Sequence, residues 1–393
     1  MKAFWAVLLV LAVAGCVAPQ PPAPTPQAGP GQMNLTHVGF DALPGWAEDD
    51  HTAALAAFRA SCAHMGETLG GTGEAARLGG SSAAWQPACM AARNAAPGDA
   101  AARAFFETTL QPYAIAQGGN AQGLFTGYYE PEVHGSRVED GPYQAGLLAK
   151  PGDMISVYLG AFSDDLKGKH VSGRIQDHAL VPYYTRAEIA AGAIRSQRLE
   201  FLWLDNPIDA FFLEIQGSGR VKLADGRVLR VTYAGQNGRP YVPIGRVLMD
   251  RGEIPREQVS LQSIRAWLEA HPAEAQAVMD QNPSFVFFRE LTGTRPDEGP
   301  PGAMGVQLTP GRSLAIDRAF LPLGAPLFID TTDPLDGTPW RHLAVAQDLG
   351  GAIKGAVRAD IFFGWGEDAE AHAGKMRGQG RAFVLLPRGD AAR

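Results

Sequence analysis

Residues 343–355 read Leu343-Ala-Val-Ala-Gln-Asp348-Leu-Gly-Gly-Ala-Ile-Lys-Gly355, an apolar run that delivers an aspartate to a glycine-rich loop. Two further apolar runs end in the same way, at Asp317 and at Asp360. Strands that end like this in a small β-rich unit would aim their three carboxylates at one shared pocket. The alternative interpretation is structural, because aspartates also cap solvated turns.

Four other motifs lie upstream of the aspartates. They are Gly123-Leu-Phe-Thr-Gly-Tyr-Tyr-Glu-Pro131, Glu214-Ile-Gln-Gly-Ser-Gly219, Tyr233-Ala-Gly-Gln-Asn-Gly238 and Asn282-Pro-Ser-Phe-Val-Phe-Phe288. Together with the aspartates, from about Gly123 to about Leu386, they resemble the membrane-bound lytic murein transglycosylase A (MltA) family and its three-aspartate (3D) domain.

The resemblance implies a mainly β fold with some α: a double-psi β-barrel, an inserted second β domain and an N-terminal helical segment. The expected divisions are a signal peptide (1–15), a Pro-rich tether (16–33), the helical segment with the first part of the barrel (34–130), the insert (131–244) and the second part of the barrel (245–388). A substrate groove would lie between the barrel and the insert, since ligand sites often occur at domain junctions.

The implied activity is non-hydrolytic cleavage of peptidoglycan at the β-1,4 bond between N-acetylmuramic acid and N-acetylglucosamine, which leaves 1,6-anhydromuramic ends. Asp360 matches the family's catalytic aspartate, acting first as acid and then as base. Its apolar neighbours Val357, Ala359 and Ile361 favour the raised pKa that an acid needs. Asp348 is expected to support it. Asp317 and Lys354 are weaker substrate-binding candidates, for which loop capping and simple solvation are the alternatives.

Aromatic and small polar residues are expected to line the groove, because sugar rings stack on aromatic side chains and hydroxyl groups need polar partners. The candidates are Thr126, Gly127, Tyr128, Tyr129 and Glu130 on one wall and Gln216, Gly217 and Ser218 on the other. Because side chains alternate along a strand, one of the two tyrosines is expected to point into the core.

Composition limits the partners. The 393-residue chain is 46% hydrophobic with a net charge of −7, which is typical of a globular protein and argues against nucleic acid as a partner. No cofactor and no metal site is expected. The expected partners are peptidoglycan strands and, through a lipid anchor, the outer membrane.

The N-terminus predicts export. A short apolar run leads to Val13-Ala-Gly-Cys16, which is similar to a bacterial lipobox with Cys16 as the lipidated residue. An ordinary signal peptide with a chance cysteine is the alternative. A location on the periplasmic face of the outer membrane follows from the first interpretation.

Cys62 and Cys89 are the two remaining cysteines. In an oxidising periplasm an even remainder makes a disulfide plausible, and two buried free thiols are the alternative.

Local patterns predict several elements. Helices are expected from Asp50 to Cys62, after a capping Asp99, and between Ser260 and Ala270. A strand is expected over residues 208–216, and a hairpin across Asp225-Gly226. β-structure is expected to begin near residue 124.

Three other functions would make different demands on the sequence or on the product. An aspartic protease would need two Asp-Thr-Gly or Asp-Ser-Gly turns, and the sequence contains neither. A non-catalytic peptidoglycan-binding lipoprotein is the main alternative. A glycan hydrolase with water as acceptor would differ only in its product.

Overall fold

The computed structural model of the protein describes residues 31–65, 78, 82–166, 169–295 and 297–388. Its strands are β1 (Met33–His37), β2 (Leu110–Gln117), β3 (Gly123–Glu130), β4 (Glu132–Ser136), β5 (Ala145–Leu148), β6 (Ile155–Tyr158), β7 (His170–Gln176), β8 (Ala179–Pro182), β9 (Glu200–Leu204), β10 (Ser218–Leu223), β11 (Val228–Gln236), β12 (Val286–Leu291), β13 (Ser313–Ile316), β14 (Pro326–Thr332), β15 (Pro339–Leu349), β16 (Arg358–Trp365) and β17 (Arg377–Pro387).

The helices are α1 (His51–Cys62), α2 (Ser82–Asn94), α3 (Asp99–Thr109), α4 (Arg186–Ala190), α5 (Pro207–Gln216), α6 (Ile244–Asp250), α7 (Leu261–Ala270), α8 (Pro272–Met279) and α9 (Glu367–Lys375). Within the described ranges, none of them is both long enough and apolar enough to cross a membrane. The predicted signal peptide, Cys16 and most of the tether lie outside the described residues.

Six strands close into a barrel in the order β17-β14-β15-β13-β16-β3, and β3 pairs back onto β17. Strand β17 makes the closure possible because it changes partners along its length. Its first residues, 377–380, pair with β3, and its later residues pair with β14 and β2. Fully buried side chains such as Phe125, Phe328 and Val384 fill the core. The fold is therefore mixed, with a closed six-stranded β-barrel.

A second sheet is inserted between β3 and β13, in the order β12-β11-β10-β4-β9-β5. The boundary expected at residue 245 needs correction. Strand β12 completes the inserted sheet by pairing antiparallel with β11, so the barrel resumes only after residue 291. A small third sheet, β6-β7-β8, extends from the insert.

Helices α1 to α3 pack on the barrel. The first of the predicted helices is confirmed as α1, and its N-cap is Asp50, whose carboxylate accepts the backbone N–H of Ala53 at 3.0 Å. The prediction for Asp99 is wrong: Gly98 is the N-cap of α3, and the Asp99 carboxylate accepts the N–H of Thr52. β-structure also begins earlier than predicted, at β1 and β2, which pair with each other beside the barrel.

The strand predicted over residues 208–216 is wrong, because this segment is helix α5. The Asn206 side chain accepts the N–H of Ile208, Pro207 occupies the first turn, and Gly217 ends the helix at φ +79°. These are strong helix start and stop residues. They outweigh the β-branched and aromatic composition that suggested a strand.

Two other local predictions are confirmed. Strands β10 and β11 form the antiparallel hairpin, with Lys222 opposite Val228 and Gly226 in the left-handed region at φ +82°. Helix α7 begins after Ser260, whose hydroxyl accepts the N–H of Ser263.

Candidate active site

The barrel brings Asp348 and Asp360 into one row. Strand β13 lies between β15 and β16, and its Ala315 is the register partner of both aspartates. Thr126 on β3 is the next member of the row, opposite Asp360. Asp360 is near the start of its strand and not at the end, as the apolar run had suggested. Because β16 runs antiparallel to β13 and β15, its start lies where those two strands end.

Asp360 is held by a hydroxyl group. The Thr126 hydroxyl donates to Oδ1 of Asp360 at 2.6 Å, although the two residues are 234 positions apart in sequence. The same hydroxyl oxygen accepts a hydrogen bond of 2.8 Å from a terminal nitrogen of Arg358. Asp360 is half-buried, so it is largely withdrawn from water while part of the side chain stays accessible.

Asp348 accepts hydrogen bonds on both of its carboxylate oxygens. The Tyr128 hydroxyl donates to one carboxylate oxygen at 2.9 Å, and the backbone N–H of Ala303 donates to the other at 2.8 Å. The Tyr128 ring also packs on Phe362, with centroids 5.2 Å apart. Thr126 and Tyr128 lie two residues apart on β3, which places both on one face of the strand.

The electrostatics of this site favour protonated carboxyl groups. Burial raises the pKa of Asp360, and the opposing effects of the Arg358 charge and the Thr126 hydrogen bond are smaller. Burial likewise raises the pKa of Asp348, against the hydrogen bonds from Ala303, Leu349 and Tyr128, and the charge of Asp360 adds to the rise. An acid that donates a proton near neutral pH needs a shift in this direction.

Asp317 and Lys354 lie outside the row that holds Asp348 and Asp360. Asp317 is buried and accepts the backbone N–H groups of Ala319 and Gly355, so it holds the turn after β13 against the glycine-rich loop. The Lys354 side chain is exposed in that loop. These contacts agree with the loop-capping alternative for Asp317.

Two groove candidates lie on the opposite face of β3 from Thr126 and Tyr128. A Cβ at Gly127 would lie 2.6 Å from the Phe363 ring and 2.8 Å from Ala373, so this glycine allows α9 to approach the strand. Tyr129 is the tyrosine that points into the core, at 2% exposure beside Ala369 and Ala373. Both positions serve helix packing.

The residues expected to form the second wall lie at the end of α5 and just after it. The Gln216 side chain accepts the backbone N–H of Tyr129 at 3.1 Å and so ties the insert to β3. Gly217 follows as the left-handed cap, and its carbonyl group accepts the N–H of Tyr233 at 2.8 Å. Ser218 is buried at the start of β10.

Glu130 does not line a groove, which corrects the expectation. It is fully buried and accepts charge-assisted hydrogen bonds from Arg220 at 2.8 Å and from Arg230 at 2.8 Å. Arg220 also stacks on Trp365, 4.2 Å from the ring centroid. This cluster joins the end of β3 to strands β10 and β11 of the insert. Neither arginine was singled out in the sequence, because their pairing with Glu130 is set by tertiary structure.

Arg358 was also missed, although a signal was available. It stands two residues before Asp360 on a predicted strand, and side chains at i and i+2 share a face.

The structure joins Cys62 to Cys89 by a disulfide between α1 and α2. Within the residues described, no group of His, Cys, Asp or Glu side chains is arranged to hold a metal ion.

Comparison with known proteins agrees with this architecture. The MltA specific insert domain matches residues 124–289, and the 3D domain matches residues 312–386. Membrane-bound lytic murein transglycosylase A of Escherichia coli strain K12 is 36% identical over 276 residues, which cover 68% of this chain and 66% of that protein, just under two thirds of its length.

Solved structures match over more of the chain. The crystal structure of the membrane-bound lytic murein transglycosylase from Agrobacterium tumefaciens is 32% identical, with a TM-score of 0.80, and the match covers 90% of this chain and 98% of that one. The structure of E. coli MltA with bound chitohexaose is 28% identical, with a TM-score of 0.62 and coverage of 92% and 97%. The chain therefore belongs to the membrane-bound lytic murein transglycosylase A family.

Proposed function

We propose that this protein is a lytic transglycosylase that cleaves peptidoglycan between N-acetylmuramic acid and N-acetylglucosamine and leaves 1,6-anhydromuramic ends. The observation that carries the proposal is Asp360, a half-buried carboxyl group with a raised pKa, held by Thr126 on a neighbouring barrel strand. Family membership and the relative that binds chitohexaose support a glycan as the substrate.

In the first step, protonated Asp360 gives its proton to the glycosidic oxygen while the bond from that oxygen to C1 of N-acetylmuramic acid breaks. The positive charge that develops at C1 gives the transition state its oxocarbenium character. Burial favours the protonated form from which the reaction starts. The N-acetylglucosamine fragment leaves with a hydroxyl group.

In the second step, the Asp360 carboxylate takes the proton of the C6 hydroxyl group, whose oxygen bonds to C1 and closes the 1,6-anhydro ring. The proton returns to Asp360, so the acid is regenerated and no water is consumed. One carboxyl group is sufficient, because the substrate supplies its own nucleophile. Asp348 and Tyr128 act in support, by binding sugar hydroxyl groups and stabilising the developing charge.

The substrate groove lies between the barrel face carrying Thr126 and Tyr128 and the insert segment from Gln216 to Ser218. We assign the barrel to the double-psi type, which its two parallel pairings, β13 with β15 and β16 with β3, support.

Cys16 anchors the mature protein by lipid to the periplasmic face of the outer membrane. The lipobox and the Pro-rich tether support this location. Labelling with a fatty-acid analogue should mark the wild type and leave Cys16→Ala unmarked. Equal labelling of both proteins would contradict the anchor.

Mass analysis of the muropeptides released from purified sacculi tests the activity. The wild type should release products that end in 1,6-anhydromuramic acid, and Asp360→Asn should release almost none. Products with reducing ends would identify a hydrolase. Binding to sacculi without release of any product, by a folded wild-type protein, would indicate the non-catalytic binding lipoprotein.

A further inference from the structure

Arg358 has a defined geometry beside the acid. It is half-buried on β16, and its guanidinium group donates to three oxygens: the backbone carbonyls of Leu124 and Ala359 and the hydroxyl of Thr126. The first two bonds fix the plane of the guanidinium group. The third directs a terminal N–H at Thr126, at a distance of 2.8 Å.

The chemistry of the donors decides where the Thr126 proton points. A guanidinium group can only donate, so the Thr126 oxygen must accept from it. A hydroxyl group has one hydrogen, and the remaining partner of Thr126 is Oδ1 of Asp360 at 2.6 Å. The hydroxyl hydrogen therefore points at Oδ1, and the chain Arg358–Thr126–Asp360 has a single direction.

We propose that Arg358 is a positioning residue: it holds the Thr126 hydroxyl as a donor to Oδ1 of Asp360, which leaves Oδ2 as the oxygen that carries the transferred proton. Because the unprotonated oxygen of a carboxyl group is the better acceptor, the hydrogen bond from Thr126 favours Oδ1 as that oxygen and Oδ2 as the one that carries the proton. Asp360 thus gives its proton in the first step, and takes a proton in the second step, on the same defined oxygen. This inference rests on the proposed function, because it specifies how that acid works.

Arg358 also acts by charge. Its positive charge favours the ionised form of Asp360 and so moderates the rise in pKa that burial causes. The other titratable groups around Asp360 are Tyr128 on β3 and Asp348 on β15, and Arg377 on β17 pairs in register with Thr126. Loss of the arginine charge should therefore raise the pKa of Asp360 while these groups remain.

Four single variants separate positioning from charge. Arg358→Gln removes both the positive charge and the planar guanidinium group with its several donors. Arg358→Lys keeps the charge but not the guanidinium geometry. Thr126→Val removes the relay hydroxyl at similar volume, and Thr126→Ser restores it. We expect Arg358→Gln and Thr126→Val each to lower kcat on a soluble murein glycan fragment by about tenfold or more, with little change in KM, because the ground-state contacts remain. Thr126→Ser should retain most of the activity.

The pH profile gives a second readout. Activity is lost at high pH as the acid ionises, so the alkaline limb of kcat/KM reports the pKa of Asp360 in the free enzyme. Arg358→Gln should move this limb to higher pH, and Arg358→Lys should leave it in place. The double variant Arg358→Gln/Thr126→Val should have about the same kcat as the less active of the two single variants, because both residues act through one hydrogen bond.

Thermal unfolding of every variant provides the control for folding. A wild-type kcat and alkaline limb in folded Arg358→Gln would overturn the inference, and so would kcat losses that multiply in the double variant. These results are distinct from failure of the proposed function, which would show as an active Asp360→Asn or as products with reducing ends.

Discussion

The active site and the junction between barrel and insert use one face of β3 in opposite ways. Thr126 and Tyr128 hold Asp360 and Asp348 through hydroxyl groups, whereas two residues further on Glu130 is itself a carboxylate held by Arg220 and Arg230. The aspartates remain half-buried, and Glu130 is fully buried. Two buried arginines pair with Glu130 and join the domains through it, whereas the carboxyl group of Asp360, which is held by a hydroxyl group, keeps a raised pKa and can exchange a proton.

Asp49 extends the comparison. It is buried beneath the barrel, where Arg312 donates to both of its oxygens at 2.9 Å. The hydrogen bonds from His342, Arg312 and Leu343 hold its pKa well below the usual range, despite the opposing effect of burial. The direction of the pKa shift thus separates Asp49, an anion tied into the architecture, from the proposed acid Asp360.

Asp360→Asn should give the largest effect. Activity on sacculi should fall by about 10²–10⁴-fold or more, since positioned proton transfer contributes this much at each use. The stability of the folded protein should instead increase in this variant at neutral pH. The raised pKa means that the folded state favours protonated Asp360, and this contribution is lost as pH rises through the folded value.

Asp360→Asn should therefore have a higher melting temperature than the wild type at pH 7. The difference should vanish below about pH 3.9, the pKa of an aspartate in the unfolded chain. Parallel measurements of muropeptide release and melting temperature at several pH values check both effects. An active variant would remove Asp360 from the proposed mechanism.

Glu130→Gln should test the other side of the comparison. It leaves Arg220 and Arg230 buried without their counter-charge, which typically destabilises a protein by about 3–5 kcal/mol. Denaturant unfolding measures the loss, and Glu132→Gln, an exposed carboxylate on the adjacent β4, is the matched control. Activity of the folded fraction should remain. A variant as stable as the control would show that the junction does not depend on this pairing.

Loss of the disulfide should have a somewhat smaller effect on stability. Replacing both Cys62 and Cys89 by serine opens a link between residues 27 apart, which should lower the free energy of unfolding by about 2–4 kcal/mol. Alkylation of the denatured, unreduced wild-type domain should modify neither cysteine. Full alkylation of both residues before reduction would contradict the bridge.

Asp348→Asn should give the smallest effect on activity. It replaces one carboxylate oxygen by an amide nitrogen but keeps a group of the same shape beside Tyr128. Because Asp348 acts in support and does not transfer the proton in the proposed mechanism, activity should fall by only about tenfold. Muropeptide release measured beside Asp360→Asn checks the ranking. Equal losses in the two variants would mean that Asp348 takes a direct part in proton transfer.

The sequence predicts those parts of this comparison that depend on local patterns. Helix α1 and the hairpin across Asp225-Gly226 are examples, because each depends on residues that are close in sequence. Residues 208–216 form a helix where their β-branched and aromatic composition predicts a strand. Asn206-Pro207 and Gly217 are local signals for a helix, and they outweigh that composition.

The contacts that distinguish the active site from the junction between barrel and insert could not be predicted from local sequence patterns. The partner of Asp360 is 234 residues away, and Glu130 meets its arginines 90 and 100 residues later. Such pairings follow from barrel closure and from the insertion of the second sheet. The family resemblance pointed to Asp360, but spacing alone could not show that Glu130, in the same motif, is enclosed.

The closure of the barrel by β17 has a consequence for biosynthesis. Strand β3 obtains both of its barrel neighbours, β16 and β17, from segments that are translated long after it. Contacts of such long sequence separation form late and slowly, because loop closure must precede them. A nascent chain therefore has Thr126 long before it has Asp360, 234 positions later, and the proposed catalytic site is assembled only once β16 has been made. The cell-wall lytic activity that we propose is thus absent until that stage of synthesis.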